Sequence, residues 1–223
     1  MPRDYVIQQD LTNEDLERLR VAGLAGIDTE TTGLQPRRDF LALVQICDPS
    51  GVVNVLRRRD WMNAHNLRAF LSDDSIEKVC HYAPFEAVFF LSHLQVAVQN
   101  FYCTRITSKL VRTYTSNHNY DYMVYELLGI KIEEESVGLS DWYTTKELTP
   151  AQLAYAVKDV LYLIPMRTRL NEMLVEKGTL PSGSITFVDL HRLCMAFIPT
   201  MAQLQLNGWD LGQDLTTSVF YYY

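Results

Sequence analysis

Apolar positions along this chain switch between two periods. After a capping-type Thr12 or Asn13, Leu16 and Leu19 fall three residues apart, which predicts a short leading helix over 11–20. From 23 to 29 the run reads as a strand, and the apolar stretches 40–47 and 52–56 read as two more. Gly33 and Pro36 punctuate the first connection, and Asp48, Pro49, Ser50 and Gly51 form a turn cluster in the second. Connections this short predict an antiparallel meander of three strands rather than immediate crossovers.

Helical spacing returns at 64–71, with Leu67, Phe70 and Leu71 on one side, and a buried strand follows at 78–82. The stretch 84–91 opens on Pro84, suited to a first helical turn, and is apolar nearly all round except for Glu86. A strand over 96–103 and helices over 104–114 and 120–128 come next, the last stopped by Gly129. Polar, irregular residues 131–146 read as a surface loop. Thr149, Pro150 and Gln152 then form a helix start with a reciprocal cap, for a helix through Tyr155, Asp159 and Leu163 to about 177, kinked at Pro165. A linker at 178–183 leads to a final helix over 186–206, interrupted near Pro199.

Composition narrows the class. The 223 residues suffice for one sizeable α/β domain. A hydrophobic fraction of 48%, a charged fraction of 21% and a mean hydropathy of -0.08 are globular values, and no apolar run reaches spanning length. With no secretory pattern at the N-terminus, a cytoplasmic location is expected and membrane partners are not. Cys47, Cys80, Cys103 and Cys194 form no CxxC pair, so free thiols are expected rather than zinc ligands. A net charge of -7 and a pI near 5.2 argue against coating long nucleic acids non-specifically. They leave room for a nuclease, because an acidic metal site adds negative charge until its cations bind.

Asp28 and Glu30 lie two residues apart at the end of an apolar run, so on a strand they share a face and repel each other. A divalent cation between them relieves that repulsion, since Mg²⁺ and Mn²⁺ prefer hard oxygen ligands. Glu86 and Asp159 are acids in otherwise apolar helices and need partners for the same reason. Tyr155 precedes Asp159 by four residues and shares its helix face. Two cations about 3.5–4 Å apart could activate water and stabilise the leaving oxygen of a phosphodiester.

Asp28-Thr29-Glu30, His81-Tyr82-Ala83-Pro84-Phe85-Glu86 and Tyr155-Ala156-Val157-Lys158-Asp159 together resemble the three ordered motifs of the DEDD exonuclease superfamily, in its tyrosine-containing, ribonuclease D-like branch. Within the branch the chain is most similar to nanoRNase C enzymes, through Gly33-Leu34-Gln35-Pro36, residues 108–115 with His118, Ile198-Pro199-Thr200 and Leu206-Asn207-Gly208-Trp209. The resemblance implies a ribonuclease H-like α/β fold: a mixed sheet with three leading antiparallel strands, flanked by helices. It divides the chain into an exonuclease domain at 1–180 and a helical extension at 181–223 packing on the same domain.

By the same resemblance Asp28, Glu30 and Asp159 would hold one of two divalent cations, Mg²⁺ or Mn²⁺, Asp28 and Glu86 would serve the other, and Tyr155 would orient the attacking water. Glu86 departs from the family's usual Asp by one methylene. Thr29, Thr31, His81 and a wedge at Leu34 would contact substrate. Arg105, Lys109 and Arg112 form a helical stripe read as a phosphate track, with His118 beyond it. The expected activity is a 3′-5′ exonuclease acting on short single-stranded RNA and releasing nucleoside 5′-monophosphates, assembled as a homo-oligomer. Alternatives are ribonuclease D-type 3′-end processing, a DNA exonuclease, and a catalytically impaired nucleic-acid-binding module.

Overall fold

A computed structural model describes residues 5–132, 142–144 and 147–209. Most of the loop expected at 131–146, with its three consecutive glutamates, and the terminal tyrosine run lie outside those residues. The described chain forms one six-stranded mixed sheet with helices on both faces. In chain order the elements are β1 (Tyr5–Gln8), α1 (Asn13–Ala22), β2 (Leu24–Thr31), β3 (Leu41–Cys47), β4 (Val53–Arg57), α2 (His65–Ser72), β5 (Glu77–Cys80), α3 (Ala83–Leu94), β6 (Phe101–Cys103), α4 (Thr104–Val111), α5 (Tyr120–Leu128), α6 (Pro150–Leu161), α7 (Leu163–Lys177) and α8 (Phe187–Leu206).

Across the sheet the strands run β1-β4-β3-β2-β5-β6. Strands β2, β3 and β4 pair antiparallel, as their short connections require, whereas β5 pairs parallel to β2 and β6 parallel to β5. Strand β1 adds a parallel edge to β4 that the apolar pattern does not announce, because Tyr5, Val6 and Ile7 are all exposed and leave no alternation to read.

Period-two alternation sorts the strand residues between two cores. Ala25, Ile27, Val44 and Ile46 face α1, α2, α3 and α8, while Cys47, Val53, Val55 and Val79 face α5, α6 and α7. Helix α8 belongs to the first layer through Met195, Ile198 and Ala202. Cys47, Cys80 and Cys103 are buried free thiols and Cys194 is a half-buried one.

Several boundaries differ from those the sequence suggests. The strand expected over 96–103 shrinks to Phe101–Cys103, since Gln95 and Asn100 adopt left-handed φ values of 53° and 54°. The helix expected to reach residue 114 stops at Val111, where Arg112 turns inward. Pro165 does not kink a long helix. The break comes earlier, at Tyr162, which leaves Pro165 in the first turn of α7, where its missing N–H costs no intrahelical bond. Pro199 lies within a continuous α8 rather than dividing it.

Candidate active site

Three segments converge where β2 meets α3 and α6. Asp28 and Glu30 project from one face of β2, opposite Gln45 and Leu43 in the antiparallel ladder, and the register slips after Glu30. Glu86 sits in the first turn of α3, which Pro84 helps to start. Asp159 and Tyr155 lie one turn apart on α6, whose start is fixed by the reciprocal cap of Thr149 and Gln152.

Close packing brings α6 against β2. A Cβ on Gly26 would stand 3.0 Å from the Val160 carbonyl oxygen and 3.2 Å from Leu163 Cβ, tighter than ordinary contact, so glycine lets the α6–α7 corner approach without displacement. Tyr120, at the start of α5, pins the same corner: its hydroxyl donates to the Lys158 carbonyl at 2.9 Å and accepts from the Tyr162 N–H at 3.3 Å.

Asp28, Glu30 and Asp159 each offer a carboxylate oxygen, all within 4.8 Å of one another. Glu86 lies in the same cavity but outside that tight group, 4% exposed and with its Oε2 buried and unpartnered. These acids are held protonated well above their ordinary range. Burial, then the charges of Asp159, Glu86 and Glu30, pushes Asp28 well up. Burial, with the Asp159 charge second, pushes Glu30 up to about 8; burial alone pushes Glu86 up to about 8, and it pushes Asp159 up to about 7 against the opposing charge of Lys158. Four crowded acids and an orphaned carboxylate oxygen fit the requirements of divalent cations with oxygen ligands. The Tyr155 hydroxyl engages Asp159, and burial followed by the Asp159 charge raises its pKa.

The cavity, about 620 Å³, gathers most of the residues expected from the sequence: Asp28, Thr29, Glu30, Leu34, His81, Glu86, Tyr155 and Asp159. Leu34 is 77% exposed at its rim, an apolar side chain with nothing of its own to pack against. His81 bonds through Nδ1 to Thr104 Oγ1 at 3.0 Å, and burial with the Arg105 charge second pushes its pKa down to about 4, so the ring is neutral.

Five expected contacts are not in the lining. Thr31 instead closes its own turn by donating to the Gly33 carbonyl at 2.7 Å. His118 bonds to Ser108 Oγ at 2.8 Å, and Arg105 lies over the exposed Tyr82 ring at 5.2 Å. Lys109 lies with Arg105 on α4 and is not in the lining. The phosphate track also fails at Arg112. Its guanidinium is fully buried, paired with Glu126 and bonded to Ser108 Oγ and the Asn117 carbonyl, so it braces α4 against α5.

The sequence reading missed other lining residues, chiefly Tyr120, Asp121 and Lys158. Only Lys158 had a local signal, as it follows Tyr155 by three positions on one helix. Gln45, directly across from Asp28, is fully buried with both amide atoms unpartnered among the described residues.

Residues 4–175 match the family model described as 3′-5′ exonuclease. DNA polymerase I of Aquifex aeolicus is 29% identical over 228 residues, which take in 98% of this chain and 38% of that protein. Ribonuclease D of Gluconacetobacter diazotrophicus is 32% identical over 176 residues, 76% of this chain and 43% of the relative. The chain thus spans about two-fifths of the length of these curated relatives. Among solved structures, Brucella melitensis NrnC bound to pGG is similar at 33% identity and a TM-score of 0.83, over 99% of this chain and 98% of that one. The same protein with bound Mg²⁺ is similar at a TM-score of 0.82 and 32% identity, over the same shares of the two chains.

Proposed function

The chain belongs to the 3′-5′ exonuclease family, and from that premise we propose that it is a two-metal exoribonuclease that removes nucleoside 5′-monophosphates from short single-stranded RNA. The observation that carries the reading is the group of three carboxylates within 4.8 Å, beside a buried Glu86 oxygen that no group among the described residues satisfies. Asp28, Glu30 and Asp159 would hold one Mg²⁺ or Mn²⁺, and Asp28 with Glu86 the other. When bound, such cations supply Lewis-acid polarisation of the phosphoryl group and water that is acidic at neutral pH.

The remaining roles belong to side chains. Tyr155, its hydroxyl engaged with Asp159, orients the water that attacks the last phosphodiester. Leu34 at the rim packs against the terminal base, and neutral His81 lines the wall without adding charge. The longer Glu86 side chain would serve its cation through water, where one methylene would matter less than in direct ligation. Short RNA is favoured by the likeness to NrnC over nearly its whole length, including the form solved with pGG. A homo-oligomer in the cytoplasm belongs to the same reading, with light scattering on the purified chain as its check. No helix among the described residues is long and apolar enough to cross a membrane.

The test is digestion of end-labelled dinucleotides, longer RNAs and matching DNAs, with Mn²⁺ or Mg²⁺ titrated, by wild type and Asp28→Ala. Stepwise release of monophosphates by wild type and its loss in the variant are expected. Equal rates in the two proteins would overturn the metal-exonuclease reading, and a preference for long DNA would overturn the substrate assignment.

A further inference from the structure

One cation in the cavity has no part in the chemistry above. Lys158 is the only lysine among the described lining residues, and no described arginine joins it. It sits on α6 immediately before Asp159 and three positions after Tyr155. Its Nζ lies over the Tyr155 ring, 5.0 Å from the centroid, and makes no hydrogen bond or ion pair among the described residues. An ammonium beside so many acids would be expected to pair with one of them. Instead it lies over the aromatic face, its charge felt by Asp159 without an ion pair to it, with the Lys158 backbone fixed by the Tyr120 hydroxyl on its carbonyl at 2.9 Å.

Charge balance gives that position a meaning. Asp28, Glu30, Glu86 and Asp159, once ionised, are matched by two divalent cations, and Asp121 leaves the lining with a further acid. Without Lys158 that lining would already be anionic when a phosphodiester brings another negative charge into the low-dielectric cleft. Resting on the two-metal reading, we propose that Lys158 is a substrate-binding residue, its ammonium taking a phosphate oxygen of the bound RNA across the face of Tyr155. The neutral aromatic ring aims the ammonium without neutralising it, so the charge stays available to the strand. Its effect is on binding, since the water and the cations are held by other side chains.

A competing role is distinguishable. If Lys158 merely serves as counter-ion to the acids before metal binds, its removal tightens metal binding and leaves substrate affinity alone. The experiment uses wild type, Lys158→Met and Lys158→Arg, with Mn²⁺ affinity measured by calorimetry without RNA and with kcat and KM measured on a trinucleotide RNA at saturating Mn²⁺. Loss of one charge-assisted hydrogen bond corresponds to a rise in KM of about 10-fold or more in Lys158→Met. We expect kcat to change far less, Lys158→Arg to restore most of the affinity, and Mn²⁺ binding to be no weaker. The slope of KM against salt should also flatten.

A second trinucleotide carries an uncharged methylphosphonate at the linkage 5′ to the scissile one. If Lys158 holds that upstream phosphate, the neutral linkage weakens wild type and leaves Lys158→Met unaffected; if it holds the scissile phosphate, the two losses multiply. An unchanged KM in Lys158→Met would overturn the proposal, as would Lys158→Arg behaving like Lys158→Met. Should wild type cleave nothing, the exonuclease reading falls. Equilibrium binding of the same trinucleotide then tests Lys158 separately, with equal affinities in wild type and Lys158→Met counting against it.

Discussion

At the residue scale, Glu86 and Arg112 show how burial reassigns a charged side chain. Glu86 is buried with one oxygen unpartnered, a state that removal of the carboxylate would relieve and that a cation would satisfy. Glu86→Ala is therefore expected to lower kcat by at least the roughly 10–100-fold typical of partners just outside a metal's ligand set, without loss of thermal stability. Glu86→Asp should keep activity within about 10-fold of wild type if the carboxylate works through water; steady-state kinetics beside a melting curve checks both. Arg112 behaves in the opposite sense. Its removal leaves Glu126 without its cation, with the Tyr114 hydroxyl still donating to it, and opens the α4–α5 junction. Arg112→Ala should destabilise by about 3 kcal/mol, the low end for a broken buried pair because Glu126 is partly exposed and can rehydrate. Denaturant melts measure this, and KM for the folded fraction should stay near wild type.

At the element scale, the site depends on how α6 docks on β2. Gly26→Ala would drive a methyl into the Val160 carbonyl and Leu163, costing about 1–3 kcal/mol by overpacking. Because the corner that must yield carries Asp159, weaker Mn²⁺ binding should accompany the lower melting temperature, and calorimetry distinguishes this from simple destabilisation. Tyr120→Phe removes the hydroxyl that joins Lys158 and Tyr162, leaving the start of α7 less well capped. A loss of about 1–3 kcal/mol is expected, with faster amide exchange at Tyr162 as its local signature. The helices themselves are well signalled by their caps. Thr12 with Asp15, Thr149 with Gln152 and Thr186 with Asp189 all form reciprocal caps. The ends without such signals, at Val111 and Tyr162, are those set by burial of Arg112 and by the Tyr120 contact.

At the scale of the whole molecule, the acid cluster should govern how stability varies with pH. Glu30 and Glu86 have folded-state pKa values raised to about 8 by burial, above their ordinary value of 4.5. Their protonated forms therefore stabilise the metal-free fold fully below pH 4.5, and that contribution is lost as pH rises through about 8. His81 and His191 act oppositely. Burial holds both near 4, below 6.5, so their contribution is present above pH 6.5 and lost as pH falls through about 4. Between pH 6.5 and 8 the acids dominate, with Lys78, held down to about 8 by burial, opposing them only at the upper end, and the metal-free protein should melt at progressively lower temperature across most of that interval. Saturating Mn²⁺ should flatten or reverse the trend, since the cation binds the deprotonated carboxylates and so stabilises the folded state more as pH rises. A melting series at several pH values, with EDTA and with Mn²⁺, checks both signs.

The amino-acid order by itself determined the central meander, most helix starts and the identity of the four acids and the tyrosine. Those features rest on local physics: strand alternation, capping chemistry, and the cost of leaving a carboxylate in apolar company. Tertiary structure decided what depends on distant segments meeting. It paired β1 with β4, turned Arg112 from a phosphate contact into a buried brace, and kept Glu86 outside the tight group of three. It also brought Tyr120 into the cavity beside Lys158, a meeting no sequence period encodes, because 38 residues separate them along the chain while one hydrogen bond joins them in the fold.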